Sequence, residues 1–318
     1  MEHSAPPSLV VVNEEEASRL LTPQLAYRAV ERALAALADG SGSLNPVVIG
    51  AGLMQGQSFS IKSGAAGDER LVGLKVGSYW PGAETHGLAR HGSSIFLLDA
   101  ETGRLRAIVE ASRLNGPRTA AADAVAASFL ARADCHTLAV IGAGHQAEHE
   151  VRALCAVRPI ARVLIASRSA ERAAALATAL LGCAETVTAT DAETACRAAD
   201  IIVTVTTATA PVIEAEWVGP GTHIASMGSD QRGKQELPVA LLERAALFCD
   251  LPAQSLAIGE FQHVAMQVAA ANLSLTAIGD VVRGVSPGRT SGEAITIFDS
   301  SGTALQDLYV AQAIIDAR

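Results

Sequence analysis

Apolar positions recur at two different periods along this chain, and the change from one texture to the other falls near residue 119. Between residues 14 and 38, Leu20, Leu21, Leu25, Ala29, Val30, Ala33, Leu34 and Leu37 return at helical spacing. That spacing predicts an amphipathic helix in which Thr22-Pro23 starts a fresh turn and Gly40-Ser41-Gly42-Ser43 ends the run. Short β-prone pieces follow at 46–49, 58–62, 71–76 and 94–98, and Asp99-Ala100-Glu101-Thr102-Gly103 reads as a turn into a further strand at 105–110. This first part predicts an α+β unit. From residue 119 the pattern alternates. An Ala-rich helix at 119–133 leads into strand 137–141, helix 146–157, strand 162–167, helix 170–181, strand 186–189, helix 192–199 and strand 201–206. Further strands are expected at 223–227, 246–249 and 294–298. These later strands are almost continuously apolar, as strands covered on both faces must be, so the fold class is α/β with a parallel sheet.

Composition narrows the function. The chain has 318 residues, enough for two domains, and is 49% hydrophobic and 18% charged, which excludes disorder as its main state. A formal net charge of −9 and 3% aromatic residues give neither a basic footprint nor a stacking platform, so no nucleic-acid partner is expected. Cys135, Cys155, Cys183, Cys196 and Cys249 are scattered, without any C-x-x-C pair, which suits reduced thiols better than a disulfide framework or a zinc ribbon. Met1-Glu2-His3-Ser4 opens neither a basic nor an apolar leader, and no apolar run reaches 18 residues, so a cytoplasmic protein without a membrane partner is expected.

The segment Leu138-Ala139-Val140-Ile141-Gly142-Ala143-Gly144-His145-Gln146-Ala147 is a strand running through G-x-G-x-x-A into a helix. Gly142 permits the tight turn, Gly144 lets the backbone approach a pyrophosphate, and Ala147 allows close helix–strand packing. The N–H groups of the first helical turn, at His145 and Gln146, face the phosphates. The strand before and the βαβ texture after supply the context that the motif needs. At the end of the next strand an NAD-selective site places an acid. This chain has Ser167-Arg168 there, suited to a 2′-phosphate, so NADPH is expected as the preferred cofactor, with NADH also used. His145 and His149 have the i, i+4 spacing of metal ligands, but no third ligand accompanies them and no metal is expected. Gly50-Ala51-Gly52 lacks the strand-to-helix context and reads as a turn.

Three further segments combine polar residues with tight turns: residues 73–81 around Lys75, 114–122 around Arg118, and 225–237 from Ala225-Ser226-Met227-Gly228-Ser229-Asp230 through Lys234 to Leu237. With the glycine loop and the closing Thr296-Ile297-Phe298-Asp299-Ser300-Ser301-Gly302-Thr303-Ala304-Leu305-Gln306-Asp307, they make the chain resemble the ornithine cyclodeaminase/μ-crystallin family over nearly its whole length.

The resemblance implies a substrate-binding and dimerisation domain made of residues 1–118 with 300–318, a Rossmann dinucleotide-binding domain at 119–299, and an active site between them. It implies a homodimer that transfers hydride between a nicotinamide and the α-carbon of an amino or imino acid. By the same resemblance Lys75 binds the substrate carboxylate, Arg118 lies at the cofactor phosphates and nicotinamide, and Asp230 handles the proton of the substrate nitrogen. Lys234, Thr206, Met227 and Gly228 fall on the cofactor side, and Ser300 and Ser301 line the nicotinamide and the substrate. The family arginine expected near Asn45-Pro46-Val47-Val48-Ile49 is missing, and Lys62 is the candidate replacement cation. That departure, with Arg90-His91-Gly92-Ser93, turns the resemblance toward the imino-acid reductases. The activity expected is NAD(P)H-dependent reduction of a small cyclic imino acid, Δ1-pyrroline-2-carboxylate or Δ1-piperideine-2-carboxylate, to L-proline or L-pipecolate, within proline metabolism. The alternatives are an open-chain imine such as iminosuccinate, ornithine cyclodeamination, and a crystallin-like NADPH-dependent ligand-binding protein without catalysis.

Overall fold

The structure, a computed structural model, describes residues 9–318; Met1-Glu2-His3-Ser4, on which the reading of no leader rests, lies outside them. The chain divides into two compact units. One comprises the described part of Met1–Arg118 together with Thr303–Arg318, and the other is Thr119–Gly302. Ser300 and Ser301, expected with the first unit, therefore belong to the second.

The first unit is built on a seven-stranded mixed sheet. Its strands are β1 (Val10–Val12), β2 (Gly42–Leu44), β3 (Val48–Ala51), β4 (Ser58–Ala66), β5 (Leu71–Tyr79), β6 (His91–Leu98) and β7 (Leu105–Glu110). They run in the order β1-β7-β6-β5-β4-β2, with β3 also on β4. Only the β1–β7 pairing is parallel in this sheet. One sheet face buries Leu71, Ile95, Leu97, Ala107 and Val109, while Val72, Leu74, Val76, Phe96 and Ile108 on the other are only half-buried. That is the period-2 alternation of a one-sided sheet.

The expected helix at 14–38 is two helices, α1 (Glu14–Leu20) and α2 (Pro23–Asp39). Pro23 cannot continue the first, because it has no N–H to donate. Instead it opens the second, where the Thr22 hydroxyl accepts from Leu25 N at 3.2 Å, and Gly40 at φ 79° closes the helix. The strand expected at 46–49 forms at Val48–Ala51, so Gly50-Ala51 end a strand rather than make a turn. β4, β5 and β6 all run longer than their apolar cores, because Gly64, Ser78 and His91 continue the pairing. A C-terminal helix, Ala304–Asp316, is buried almost all round and packs on α2 and on the same sheet.

The Ala-rich helix runs Asn115–Leu130 (α3), starting and ending earlier than expected, with Asn115-Gly116-Pro117-Arg118 as its first turn. The second unit holds eight strands in one all-parallel sheet: β8 (Thr137–Ile141), β9 (Arg162–Ala166), β10 (Thr186–Ala189), β11 (Ile201–Thr204), β12 (His223–Ser226), β13 (Ala246–Cys249), β14 (Leu275–Ala277) and β15 (Thr296–Asp299). The order β10-β9-β8-β11-β12-β15-β13-β14 reverses direction between β8 and β11, which is the switch point where a doubly wound sheet opens its binding crevice. Helix α4 (His145–Val157) connects β8 to β9, α5 (Ala170–Ala179) connects β9 to β10, and α6 (Ala192–Ala198) connects β10 to β11. No helix among the described residues is long and apolar enough to cross a membrane.

Candidate functional site

The carboxyl edge of the second unit's sheet gathers the fingerprint. Register pairs Ile141 with Ala166 and with Thr204, Thr204 with Ser226, and Ser226 with Asp299. Five consecutive strand ends therefore present Gly142–Gln146, Ser167–Arg168, Thr206, Met227–Gly228 and Ser300–Ser301 along one edge. Gly142 has φ 130°, and a Cβ there would lie 2.5 Å from the carbonyl oxygen of Val205, so only glycine makes this turn. Gly144 caps α4 without a side chain, and the place where its Cβ would stand has no neighbour within 4 Å. The open helix start, with its dipole and no side-chain cap, is a cradle of the right chemistry for a diphosphate. Ala147 is fully buried beneath it.

Ser167 accepts from Ser169 N at 3.4 Å, Ser169 caps α5, and Arg168 is exposed at the tip of this turn. The His145 and His149 rings lie 4.9 Å apart; among the described residues no group of three His, Cys, Asp or Glu is placed to hold a metal. Asp230 and Lys234 form an ion pair at 2.5 Å, and Lys234 Nζ also donates to the Gly228 carbonyl at 3.2 Å. The Asp230 side chain is 52% exposed. Ser300 donates to Asp250 at 3.2 Å, and Ser301 accepts from Gln254 at 2.7 Å.

The first unit holds a separate, buried cluster. Lys75 on β5 is 8% exposed, and its ammonium donates to Asn115 Oδ1 at 2.5 Å and to Asp307 Oδ1 at 3.0 Å. Arg118 Nε lies 3.0 Å from the same Asp307 oxygen, and another Arg118 nitrogen donates to Gln306 Oε1 at 3.0 Å. Asn115 and Arg118 are one turn apart on α3; Gln306 and Asp307 open the C-terminal helix. Lys62 is the cross-strand partner of Lys75, so both side chains leave the same sheet face. Three cations thus surround one carboxylate. Burial lowers the Lys75 pKa to about 8, Asp307 pulling it back up while Arg118 and Lys62 push it further down. Burial pushes Asp307 the opposite way, but Arg118 and Lys75 outweigh it and hold the carboxyl below its ordinary value.

Residues 9–318 match the description "Ornithine cyclodeaminase/mu-crystallin family". The chain belongs to that family. The iminosuccinate reductase of Paracoccus denitrificans (strain Pd 1222) is 38% identical over 308 residues, 97% of this chain and 96% of the relative. Its crystal structure in complex with NAD+ superposes with a TM-score of 0.89 over the same shares. An archaeal alanine dehydrogenase dimer with bound NAD gives a TM-score of 0.89 at 32% identity, covering 97% of this chain and 95% of that one. The Δ1-pyrroline-2-carboxylate reductase of Thermococcus litoralis, in complex with NADH and L-proline, gives 0.86 at 26% identity, covering 97% of both chains.

In this family member, Asp307, Gln306 and Asn115 had no separate role in the sequence reading, although all three sit inside its quoted motifs. Their signal was present as polar residues at helix starts, but nothing in one sequence says that two helices so far apart in it share a lysine. A second missed group is Asp123 on α3, which is fully buried against Glu150 on α4; Glu150 in turn accepts from Gln146 at 2.7 Å. Burial raises the Asp123 pKa to about 7, against the hydrogen bond with Glu150. Between its ordinary value of 3.8 and about 7, the folded chain therefore holds a proton there that the unfolded chain has lost. This contribution makes stability fall as pH rises across that window. Asp123→Asn is expected to flatten the dependence. Urea midpoints measured from pH 4.5 to 7.5 check it, and an unchanged slope in the variant would contradict the assignment.

Proposed function

We propose that this chain is a reductase of a small α-imino acid that uses NADPH in preference to NADH. It is an oxidoreductase acting on carbon–nitrogen bonds, in keeping with its family relatives. The observation that carries the reading is the buried cluster of Lys75, Arg118 and Asp307: a lysine of lowered pKa, held by a carboxylate and beside further cations, is built to receive an anion and to pass a proton. The Gly142–Gln146 turn and the neighbouring strand ends would hold the dinucleotide, whose nicotinamide would supply the hydride. The chain's own work is orientation and proton control. An imine carbon accepts hydride far better once its nitrogen is protonated, so a donor must stand ready. Lys75, with a pKa of about 8, is mainly ammonium at neutral pH and so stands ready as the donor, yet gives up its proton far more readily than an ordinary lysine. Lys75 and Lys62 are the groups that would anchor the carboxylate, Arg118 would serve the dinucleotide side, and Asp230 is the second candidate for the proton.

A cyclic imine, Δ1-pyrroline-2-carboxylate or Δ1-piperideine-2-carboxylate, is the leading substrate. A dicarboxylic imine such as iminosuccinate is the second reading, favoured by the extra cation that Lys62 sets across from Lys75. The half-buried sheet face of the first unit, with Val72, Leu74, Val76, Phe96 and Ile108, is the surface we assign to a homodimer. One set of measurements tests the whole reading. NADPH and NADH oxidation is followed with both cyclic imines, with iminosuccinate, and with pyruvate plus methylamine, on protein whose mass in solution is read by light scattering. Reduction of an imino acid by a particle of twice 32.7 kDa, fastest with NADPH, is expected. Arg168→Ala should narrow the gap between the two dinucleotides. No turnover of any imine would sink the function, and an NADH preference untouched by Arg168→Ala would sink the cofactor choice.

A further inference from the structure

In the second unit, the loops leaving β11 and β12 converge on a buried carboxylate that the fingerprint does not use. Glu236 is fully buried, and its two oxygens serve different loops. Oε1 accepts from the backbone N–H of Thr206 at 2.6 Å and from the Thr206 hydroxyl at 2.7 Å. Oε2 accepts from the backbone N–H of Gly228 at 2.9 Å, from the Thr204 hydroxyl at 2.9 Å and from the Ser226 hydroxyl at 3.4 Å. No lysine or arginine is among these partners. A buried carboxylate is costly unless donors surround it, so an arrangement built wholly of loop and strand-end donors ties those donors together.

The carboxylate is itself held from behind. The Glu236 N–H donates to both oxygens of Glu260, at 3.1 and 3.0 Å, Leu237 N donates to Glu260 at 2.8 Å, and Glu260 N donates to Asp299 at 3.0 Å. Gly228 shows how tight the junction is. A Cβ there would lie 2.7 Å from the Glu236 carboxyl carbon and would run into the Thr206 carbonyl oxygen.

We propose that Glu236 is a positioning residue for the dinucleotide: it locks the Thr206 loop and the Met227–Gly228 loop in one fixed register before the cofactor arrives. The proposal rests on the reading that these two loops receive the dinucleotide. Pre-formed loops spare the cofactor the ordering cost that mobile ones would impose on binding.

Glu236→Gln is the discriminating variant. It keeps size and shape, but an amide has one acceptor oxygen, whereas the N–H groups of Thr206 and Gly228 approach opposite oxygens. One loop must be released. The dissociation constants of NADPH and NADH, measured by titration, should rise about 10-fold or more, the loss expected for one charge-assisted hydrogen bond. The KM for dinucleotide should rise with them, and the KM for the imino acid at saturating dinucleotide should hold. Hydrogen exchange on the wild type gives a reading that does not depend on the variant folding. The amides of Thr206 and Gly228 should be protected without dinucleotide, and one of them should lose protection in Glu236→Gln. A folded Glu236→Gln with wild-type affinity overturns the proposal, as does a variant that only melts earlier, or wild-type amides that exchange like an open loop. If the wild type binds no nicotinamide dinucleotide, the cofactor reading falls and takes this role with it, even where exchange shows both amides protected.

Discussion

Lys75→Met is expected to lower kcat for imine reduction by ~10²–10⁴-fold, the span usual for a positioned acid–base group, while NADPH still binds. Methionine keeps the length of the stem but removes the ammonium, and with it the hydrogen bonds to Asn115 and Asp307, so the rate is compared on a variant shown to be folded. The wild-type rate should fall as pH rises through about 8, because the ammonium form is the donor and burial has brought its pKa down to that region. That limb should be missing from whatever activity Lys75→Met retains. Asp230→Asn supplies the comparison. Asp230 is half-exposed and paired with Lys234, so its loss should lower kcat yet leave the limb near pH 8 in place. If Lys75→Met turns over at the wild-type rate, or if the limb survives in it and vanishes in Asp230→Asn, the proton belongs to Asp230.

Asp307→Asn is expected to cost about 3–5 kcal/mol of folding stability, as breaking one side of a buried ion pair does. The Asp307 side chain is 5% exposed and faces Lys75 and Arg118, which are 10% and 11% exposed, so solvent screens little of the imbalance left behind. Denaturant midpoints measure the loss. The effect should be non-additive: Lys75→Met in the Asp307→Asn background removes one of the stranded cations, and the double variant should be less destabilised than the two single changes summed. In any Asp307→Asn that folds, the limb near pH 8 should move to lower pH, since the group that holds the Lys75 pKa up is gone. A loss under about 0.5 kcal/mol, the scatter of ordinary surface substitutions, would mean that the cluster is not held together electrostatically.

Most of the parallel sheet was legible because its inner strands are nearly unbroken apolar runs between turns; the edge strand Leu275–Ala277 was not expected. Thr137–Ile141, Thr186–Ala189 and Ala246–Cys249 form where the pattern puts them. Edges shifted where a local rule competed with periodicity. Pro23 split the first helix, and Asn115-Gly116-Pro117 turned out to be a helix start rather than a loop before one. Val10–Val12 is too short to show a period, and it is a strand only because it pairs with Leu105–Glu110. The C-terminal helix is apolar on nearly every side, so no amphipathic stripe announced it. Of the site, Gly142, Gly144 and Lys75 were readable as residue types in a motif. Asp307, which holds Lys75, and Glu236, which holds Thr206 and Gly228, were not, since each acts through a contact that only the folded chain creates.

The first unit contains residues that follow the whole of the second in the order of synthesis. When a ribosome has released residues 9–118, β4, β5 and β6 are available to pair, yet Lys75 and Arg118 have no Asp307 and the sheet lacks the helix that covers it. The second unit, by contrast, is continuous in the chain and can complete its sheet as soon as Thr119–Gly302 has emerged. The second unit therefore has all its residues available before the first does, and the cation-bearing sheet cannot be completed until Thr303–Arg318 has been made. Until Thr303–Arg318 arrives, the nascent chain carries an uncovered apolar sheet face and an uncompensated pair of positive charges, and that interval is when it most needs protection from its neighbours.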